Sequence, residues 1–236
     1  MSKIIQVKNL SKSYGSHRVL ENISFEYDAG QCIGLLGPTG CGKTTLIKIL
    51  TGLINDYEGE VLINGQKPGV QSKALVAYLP EKSYLPDWMR AVDTIRYLSD
   101  FYRDFDTEKA MKMLETFQLP AKQKVKSMSK GMQEKLQLLL VVCRNAELYI
   151  LDEPIGGVDP AARAFILDTI FSNLPADSTT LISTHLIHDV EGIFNRALMI
   201  GNGRILKNEP VKNGRIGENT IEDIFKEVFG YVWQVN

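Results

Sequence analysis

The spacing of apolar and polar residues changes character twice along this chain, and the changes divide it into segments. In the first third, Ile4 to Val7 and Val19 to Tyr27 are short runs with β-branched and aromatic residues, which predict strands. Ile33 to Leu36 is continuously apolar, as a buried strand is, and Thr45 to Leu50 reads as a helix start. Val61-Leu62-Ile63 runs into Asn64-Gly65, a turn signal. Leu75 to Leu79 predicts a further strand, stopped at Pro80. The early strands read as an antiparallel sheet.

Residues 86–145 switch to helical spacing. Val92, Ile95, Leu98 and Tyr102 form one stripe, Ala110, Met113, Leu114 and Phe117 a second, and Leu136, Leu139, Leu140 and Cys143 a third. Three amphipathic helices are expected here, the last over 132–145. The α/β pattern then resumes. Leu148 to Leu151 and Thr179 to Ser183 predict strands, and Asp159-Pro160 opens a helix with Asp as N-cap and Pro in the first turn. Ala197 to Ile200 and Arg204 to Leu206 flank Gly201-Asn202-Gly203 as a hairpin. Thr220 caps a last helix whose Ile221, Ile224, Phe225, Val228 and Phe229 share one face. No internal repeat is evident.

The expected fold class is therefore α/β, with a mainly parallel sheet, an antiparallel β subdomain and an inserted α-helical subdomain. With 236 residues, one domain is the sensible division. Its α/β core covers 1–85 and 146–215, its helical subdomain 86–145 and its C-terminal helix 216–236.

Composition narrows the function classes. The chain carries 27 basic and 28 acidic residues, a net charge of −1, so no field exists for gripping nucleic acid non-specifically. Cys32, Cys41 and Cys143 form neither a metal-site spacing nor a disulfide framework, which fits a reducing cytoplasm. Cys32 and Cys143 lie in apolar runs and read as core residues. No apolar run approaches the ~18 residues that cross a bilayer, and the first residues lack signal-peptide architecture.

The chemistry starts at Gly37-Pro38-Thr39-Gly40-Cys41-Gly42-Lys43-Thr44, a G-x-x-x-x-G-K-T loop between a predicted strand and a helix that continues at Thr45. In that setting the pattern is a phosphate loop. Glycines let the backbone curl so that successive N–H groups face one anion, and the helix N-terminus adds positive potential. Lys43 is placed to reach the β- and γ-phosphates, and Thr44 Oγ1 to ligate Mg²⁺. The same potential is expected to make Cys41 reactive. Downstream, Leu148 to Leu151 ends in Asp152-Glu153. Asp152 suits a Mg²⁺-holding role and Glu153 that of a general base toward water. Ser127 to Gln133 precedes a helix, so Ser129 Oγ and the Gly131 N–H offer a second anion site, with ordinary N-capping by Ser129 as the alternative. His185, after the strand ending at Ser183, is positioned to meet a γ-phosphate or the attacking water. His17 and His188 read as structural.

In order along the chain, the loop at 37–45, Tyr78-Leu79-Pro80-Glu81, Ser129-Lys130-Gly131-Met132, Ile150-Leu151-Asp152-Glu153-Pro154, Gly157-Val158-Asp159 and Ser183-Thr184-His185 resemble the nucleotide-binding subunit of an ABC transporter. The resemblance spans nearly the whole chain. It implies a P-loop NTPase core that binds ATP with Mg²⁺ in a head-to-tail dimer. Each ATP would lie between the phosphate loop of one subunit and the Ser129–Met132 turn of the other, with Asp159 in the loop crossing the interface. Tyr14 matches the aromatic that stacks on adenine. Glu81 stands where the family usually has Gln, so a carboxylate is expected near Mg²⁺. Lys130 and Met132 replace a Gly and a Gln of the usual turn, while Ser129 and Gly131 remain. Met132 and the helix at 221–225 look similar to the exporter-type branch.

The function so implied is an ATP-hydrolysing subunit, peripheral on the cytoplasmic face of the membrane, that powers a separate membrane-spanning permease, with a homodimer or a paired ATPase subunit and no nucleic acid partner. Tyr84, Leu85, Trp88 and Met89 form an apolar cluster suited to receive a helix of that permease, or to cap the helical subdomain's own core. A soluble ATPase of the same family acting on DNA, ribosomes or cluster assembly is a second class, but the chain carries neither a long coiled-coil insertion nor a second such domain. A weakly hydrolysing, ATP-gated dimerisation module is a third, which Glu153 and His185 disfavour. A P-loop kinase leaves the 127–133 turn unexplained.

Overall fold

The computed structural model describes residues 3–230. A six-stranded sheet forms its centre, in the order β5 (Val76–Leu79), β6 (Leu148–Asp152), β7 (Thr179–Ser183), β3 (Cys32–Leu36), β8 (Arg196–Gly201), β9 (Arg204–Pro210). The first five are parallel and β9 is antiparallel to β8. A second, antiparallel sheet has the order β2 (His17–Asp28), β1 (Lys3–Tyr14), β4 (Glu58–Ile63). Asn64 and Gly65 turn the chain after β4 with positive φ, as their side chains permit.

Both faces of the central sheet are covered, which is why its strands are apolar throughout. Along β6, Leu148 and Ile150 join a core shared with α1 (Lys43–Leu50) and the antiparallel sheet, whereas Tyr149 and Leu151 join the core beneath the other helices. Ala197 and Met199 against Leu198 and Ile200 divide in the same way on β8. The two cores follow from the two-residue period of a strand.

Helices α2 (Ala91–Phe101), α3 (Thr107–Thr116) and α4 (Lys130–Val142) occupy the segment expected to be helical. Two of the sequence readings need correction here. First, α4 is not amphipathic along its length: Leu136 to Val142 are all buried, because this helix packs between β5 and the other two. Second, it starts at Lys130 rather than 132, because Ser129 Oγ accepts from the Met132 N–H at 3.3 Å and pulls the Lys130-Gly131 pair into the first turn, and it ends at Val142 rather than 145, with Cys143 as its C-cap.

Helix α5 (Pro160–Asn173) precedes β7 and α6 (Ile187–Val190) follows it. The C-terminal segment also differs from expectation. A small hairpin of β10 (Arg215–Ile216) and β11 (Asn219–Thr220) precedes α7, which spans only Ile221–Phe229. The expected extension over 231–236 lies outside the described residues. Among the described residues no helix is long and apolar enough to cross a membrane.

Candidate active site

Strand order brings the site together. β3 pairs with β7 and β7 with β6, all parallel, so the segments leaving their C-terminal ends emerge side by side. Those segments are the 37–42 loop, Asp152-Glu153 and Thr184-His185. The register Asp152↔Ser183 sets the Ser183 hydroxyl against the Asp152 carboxylate, whose Oδ1 accepts a hydrogen bond from it.

These segments open into one cleft of about 750 Å³. Thr39, Gly40, Gly42, Lys43, Thr44, Thr45, Glu81, Asp152, Glu153 and His185 all line it. Gly37, Pro38 and Cys41 belong to the loop but do not line the cleft, and the Cys41 N–H donates to Pro38 O at 3.3 Å. A Cβ at Gly37 would meet Ile200 O at 2.2 Å, and Gly42, at φ 107°, would meet Leu20 Cδ2 at 2.7 Å. No other residue type fits those two positions of the loop. Lys43 Nζ donates to Gly37 O at 2.6 Å and Pro38 O at 3.1 Å, spanning the loop from inside. Gly42 is the N-cap of α1 and its carbonyl receives the Leu46 N–H at 2.9 Å.

The carboxylates have unlike surroundings. Asp152 is 3% exposed, and its Oδ2 has no hydrogen-bond partner. Burial raises its pKa above the ordinary carboxylate value; the Ser183 hydroxyl opposes this, Glu153 and Glu81 add to it, and Lys43 lowers it. Glu153 is held in the left-handed region at φ 52°, a strained conformation for a residue with a side chain. Its N–H donates to Ser183 O at 3.0 Å. Its Oε2 faces His185 Nδ1 at 2.8 Å and accepts the His185 backbone N–H at 3.4 Å. The carboxylate is thereby fixed by one oxygen, with the other left to react.

Cys41 requires a correction. It is buried, and burial outweighs the nearby Lys43 charge and pushes its thiol pKa up rather than down. It is a packing residue of the loop, in contact with the core that contains Leu20 and Leu46.

Besides Gly37, Pro38 and Cys41, four expected site residues do not line the cleft. Ser129 is exposed and caps α4, and Gly131 lies in that helix's first turn. Asp159 is exposed and caps α5, Oδ1 accepting from Ala161 N at 2.8 Å. Tyr14, at the end of β1, is 50% exposed, with Lys12 Nζ 5.0 Å from its ring centroid. Conversely, Lys82, Gln133, Glu134 and Gln137 line the cleft without having been anticipated. A signal for Gln137 existed: it is the single polar residue in the run Leu136 to Cys143. The apolar cluster after Glu81 divides, with Leu85 and Met89 buried in the helical core and Tyr84 and Trp88 exposed.

Comparison with known proteins gives concordant matches. A family model described as ABC transporter matches residues 20–156. The Nod factor export ATP-binding protein I of Cupriavidus metallidurans is 31% identical over 233 residues, which cover 94% of this chain and 77% of that protein. The SkfA peptide export ATP-binding protein SkfE of Bacillus subtilis is 31% identical over 214 residues, covering 87% and 89% respectively. A solved structure described as the ATP binding subunit of an ABC transporter superposes with a TM-score of 0.86 at 26% identity, over 95% of this chain and 99% of that one. A nucleotide-free ATP-binding cassette from an ABC transporter gives a TM-score of 0.75 at 22% identity, over 97% and 95%, a likeness of fold.

Proposed function

This chain belongs to the ABC transporter family as an ATP-binding subunit, and we propose that it hydrolyses ATP to drive a separate membrane-spanning chain, from the cytoplasmic face of the membrane. The observation that carries this reading is the meeting in one cleft of the Gly-rich loop, Asp152 and the Glu153–His185 pair. ATP is the substrate. The loop N–H groups and the N-terminus of α1 meet its phosphates. Lys43, now bonded to two loop carbonyls, exchanges one of them for a phosphate oxygen.

The orphaned Asp152 Oδ2 and the Thr44 hydroxyl fit Mg²⁺, which prefers oxygen ligands and is commonly completed by substrate phosphates. Glu81 lines the same cleft and is the further carboxylate assigned to it. When bound, the metal neutralises charge on the phosphate oxygens. Glu153 takes a proton from the attacking water on its free oxygen while His185 holds the other. The water oxygen bonds to the γ-phosphorus, the bond to the β–γ bridging oxygen breaks, and ADP leaves with phosphate.

Ser129, Asp159 and Tyr14 are exposed without lining the cleft, which supports a head-to-tail dimer, in which Ser129, Gly131 and Asp159 of one copy meet the ATP of the other and Tyr14 stacks on adenine. For the membrane partner, a groove of about 540 Å³ runs between β5 and the helical segment, lined by Tyr78, Pro80, Tyr84, Leu98 and Tyr102. Its apolar lining suits a docking helix. The relatives named for export support transport in that direction.

Equilibrium binding of a fluorescent ATP analogue tests the assignment. Lys43→Ala is expected to weaken binding by roughly 30-fold or more, the scale of one lost charge-assisted hydrogen bond. Unchanged affinity removes the nucleotide reading.

A further inference from the structure

Among the described residues six buried side-chain atoms have no hydrogen-bond partner, and three of them, Asp152 Oδ2, Gln137 Oε1 and Glu134 Oε2, belong to residues that line the candidate active-site cleft. All three are acceptors. Buried polar atoms in folded proteins are nearly always satisfied, so a concentration of orphans of one kind points to something that supplies hydrogens or positive charge. A cation and its bound water supply both.

Gln137 is the least expected of the three. It is 3% exposed, in a stretch of α4 whose other residues from Leu136 to Val142 are apolar. An unsatisfied buried amide oxygen there destabilises the fold, and a leucine would not. Helical spacing places Gln137 and Glu134, three residues apart, on one side of α4. Glu134 itself reaches the loop that follows Glu153, since a Cβ at Gly157 would stand 2.0 Å from Glu134 Oε1. That side of α4 therefore faces the segment that carries Asp152 and Glu153.

The carboxylates alone do not make a metal cage. Among the described residues no group of three or more His, Cys, Asp or Glu converges on one point. A Mg²⁺ ion held by one or two carboxylates and a substrate phosphate keeps several of its waters, and those waters need acceptors. We propose that Gln137 is a positioning residue of the Mg²⁺–ATP site, its Oε1 accepting a hydrogen bond from a water on the metal that Asp152 holds. This rests on the ATP reading above. The neutral amide supplies the acceptor without adding a further negative charge beside Asp152, Glu153 and Glu81.

Mn²⁺ titration followed by electron paramagnetic resonance, with the full chain and a non-hydrolysable ATP analogue, tests the proposal. Gln137→Leu is expected to weaken Mn²⁺ by about tenfold or more, the usual effect of losing a group behind the metal ligands. Its nucleotide-free melting temperature is expected to rise, because the orphaned oxygen is gone. An amide with a purely structural role gives the opposite thermal result. Gln137→Asn, which withdraws the oxygen by one methylene and keeps the polarity, is expected to weaken Mn²⁺ to an intermediate degree and carries the test should the leucine variant fail to fold. Titration curves superimposable on wild type for a folded variant overturn the proposal while leaving the ATP reading intact. A wild-type protein that binds no analogue, with or without metal, overturns both.

Discussion

The residues assigned to ATP fall into two sets with opposite local physics. Those in the cleft are uncomfortable in the isolated chain. Asp152 is buried with an orphaned oxygen, Glu153 is held in a left-handed backbone conformation, and Lys43 is folded back on its own loop. Those outside it are at ease: Ser129 and Asp159 cap helices, and Tyr14 is a half-exposed strand-end ring. Strain and unsatisfied polarity mark a site where one chain holds enough of it to be destabilised by its absence of ligand. Residues that act only across an interface cost the free subunit nothing, so they carry ordinary structural duties and no such mark.

The largest effect that separates the sets is on turnover. Glu153→Gln removes the proposed proton acceptor and leaves the proposed phosphate contacts of the loop in place. ATP hydrolysis is expected to fall by about 10²–10⁴ while nucleotide affinity stays within a few-fold. Size-exclusion in ATP and Mg²⁺ is expected to show an accumulated dimer, since bound ATP no longer turns over. Wild-type hydrolysis in this variant places the base elsewhere.

Mixing experiments test whether the second set belongs to the partner's site. Lys43→Ala disables the loop and Ser129→Arg the exposed turn, and each homodimer of either variant has two defective sites. In a mixed dimer one site receives an intact loop from one copy and an intact turn from the other. An equimolar mixture is expected to recover roughly a quarter of wild-type hydrolysis, from random pairing about a two-fold axis with one sound site in two. No recovery on mixing counts against a site shared between copies.

Stability sharpens the contrast, because the sign of the change differs between the sets. Ser129→Ala loses an N-cap worth about 1 kcal/mol, a fall of roughly 2–4 °C in melting temperature. Asp152→Asn, measured without nucleotide or metal, removes a charge buried at a cost and is expected to raise the melting temperature by a comparable amount, about 2–4 °C. The pH dependence follows from the direction of the shift. A carboxyl group whose pKa is raised on folding stabilises the native state when protonated and burdens it when ionised. The advantage of the Asn variant is therefore full at neutral pH and shrinks as pH falls through the raised value. Calorimetry across that range measures it; a gap that widens on acidification contradicts the assignment.

What could be read from the residues alone follows the same division. The strands at 33–36, 148–151 and 179–183 were legible because each is an apolar run with a clear stop, and the loop and the Asp152-Glu153 pair follow directly from two of them. The start of α4 was legible only as one of two readings, because Ser129 could be read as an N-cap while Lys130-Gly131 also looks like a turn, and the packed helix decides for the cap. The two-residue strands β10 and β11 are too short to leave a period. Charge and burial compete at Cys41, and only packing decides that burial wins. Gln137 was visible as a polar residue in an apolar run, but its orphaned oxygen is a property of the packed helix.

The smallest expected effect concerns Tyr14, whose membership of the second set rests on its ring alone. The residue ends β1, where Gly15 turns the chain at φ 58° and Tyr14 pairs with His17. Lys12 Nζ lies 5.0 Å from the ring centroid and is also bonded to Asp56 Oδ2 at 2.9 Å. The ring is thus oriented by a cation while half of its surface stays open to a ligand. An aromatic ring stacked on a base contributes about 1–3 kcal/mol by alanine substitution, and at the low end of that range Tyr14→Ala is expected to weaken ATP by about fivefold. Tyr14→Phe keeps the ring and is expected to bind as wild type does. Stacking needs only a π face, so GTP should lose affinity in parallel with ATP. Melting temperature should change little, because an exposed side chain is removed. Equal ATP affinity in the alanine variant and wild type would place the adenine away from this ring and return Tyr14 to the role of a surface strand-end residue.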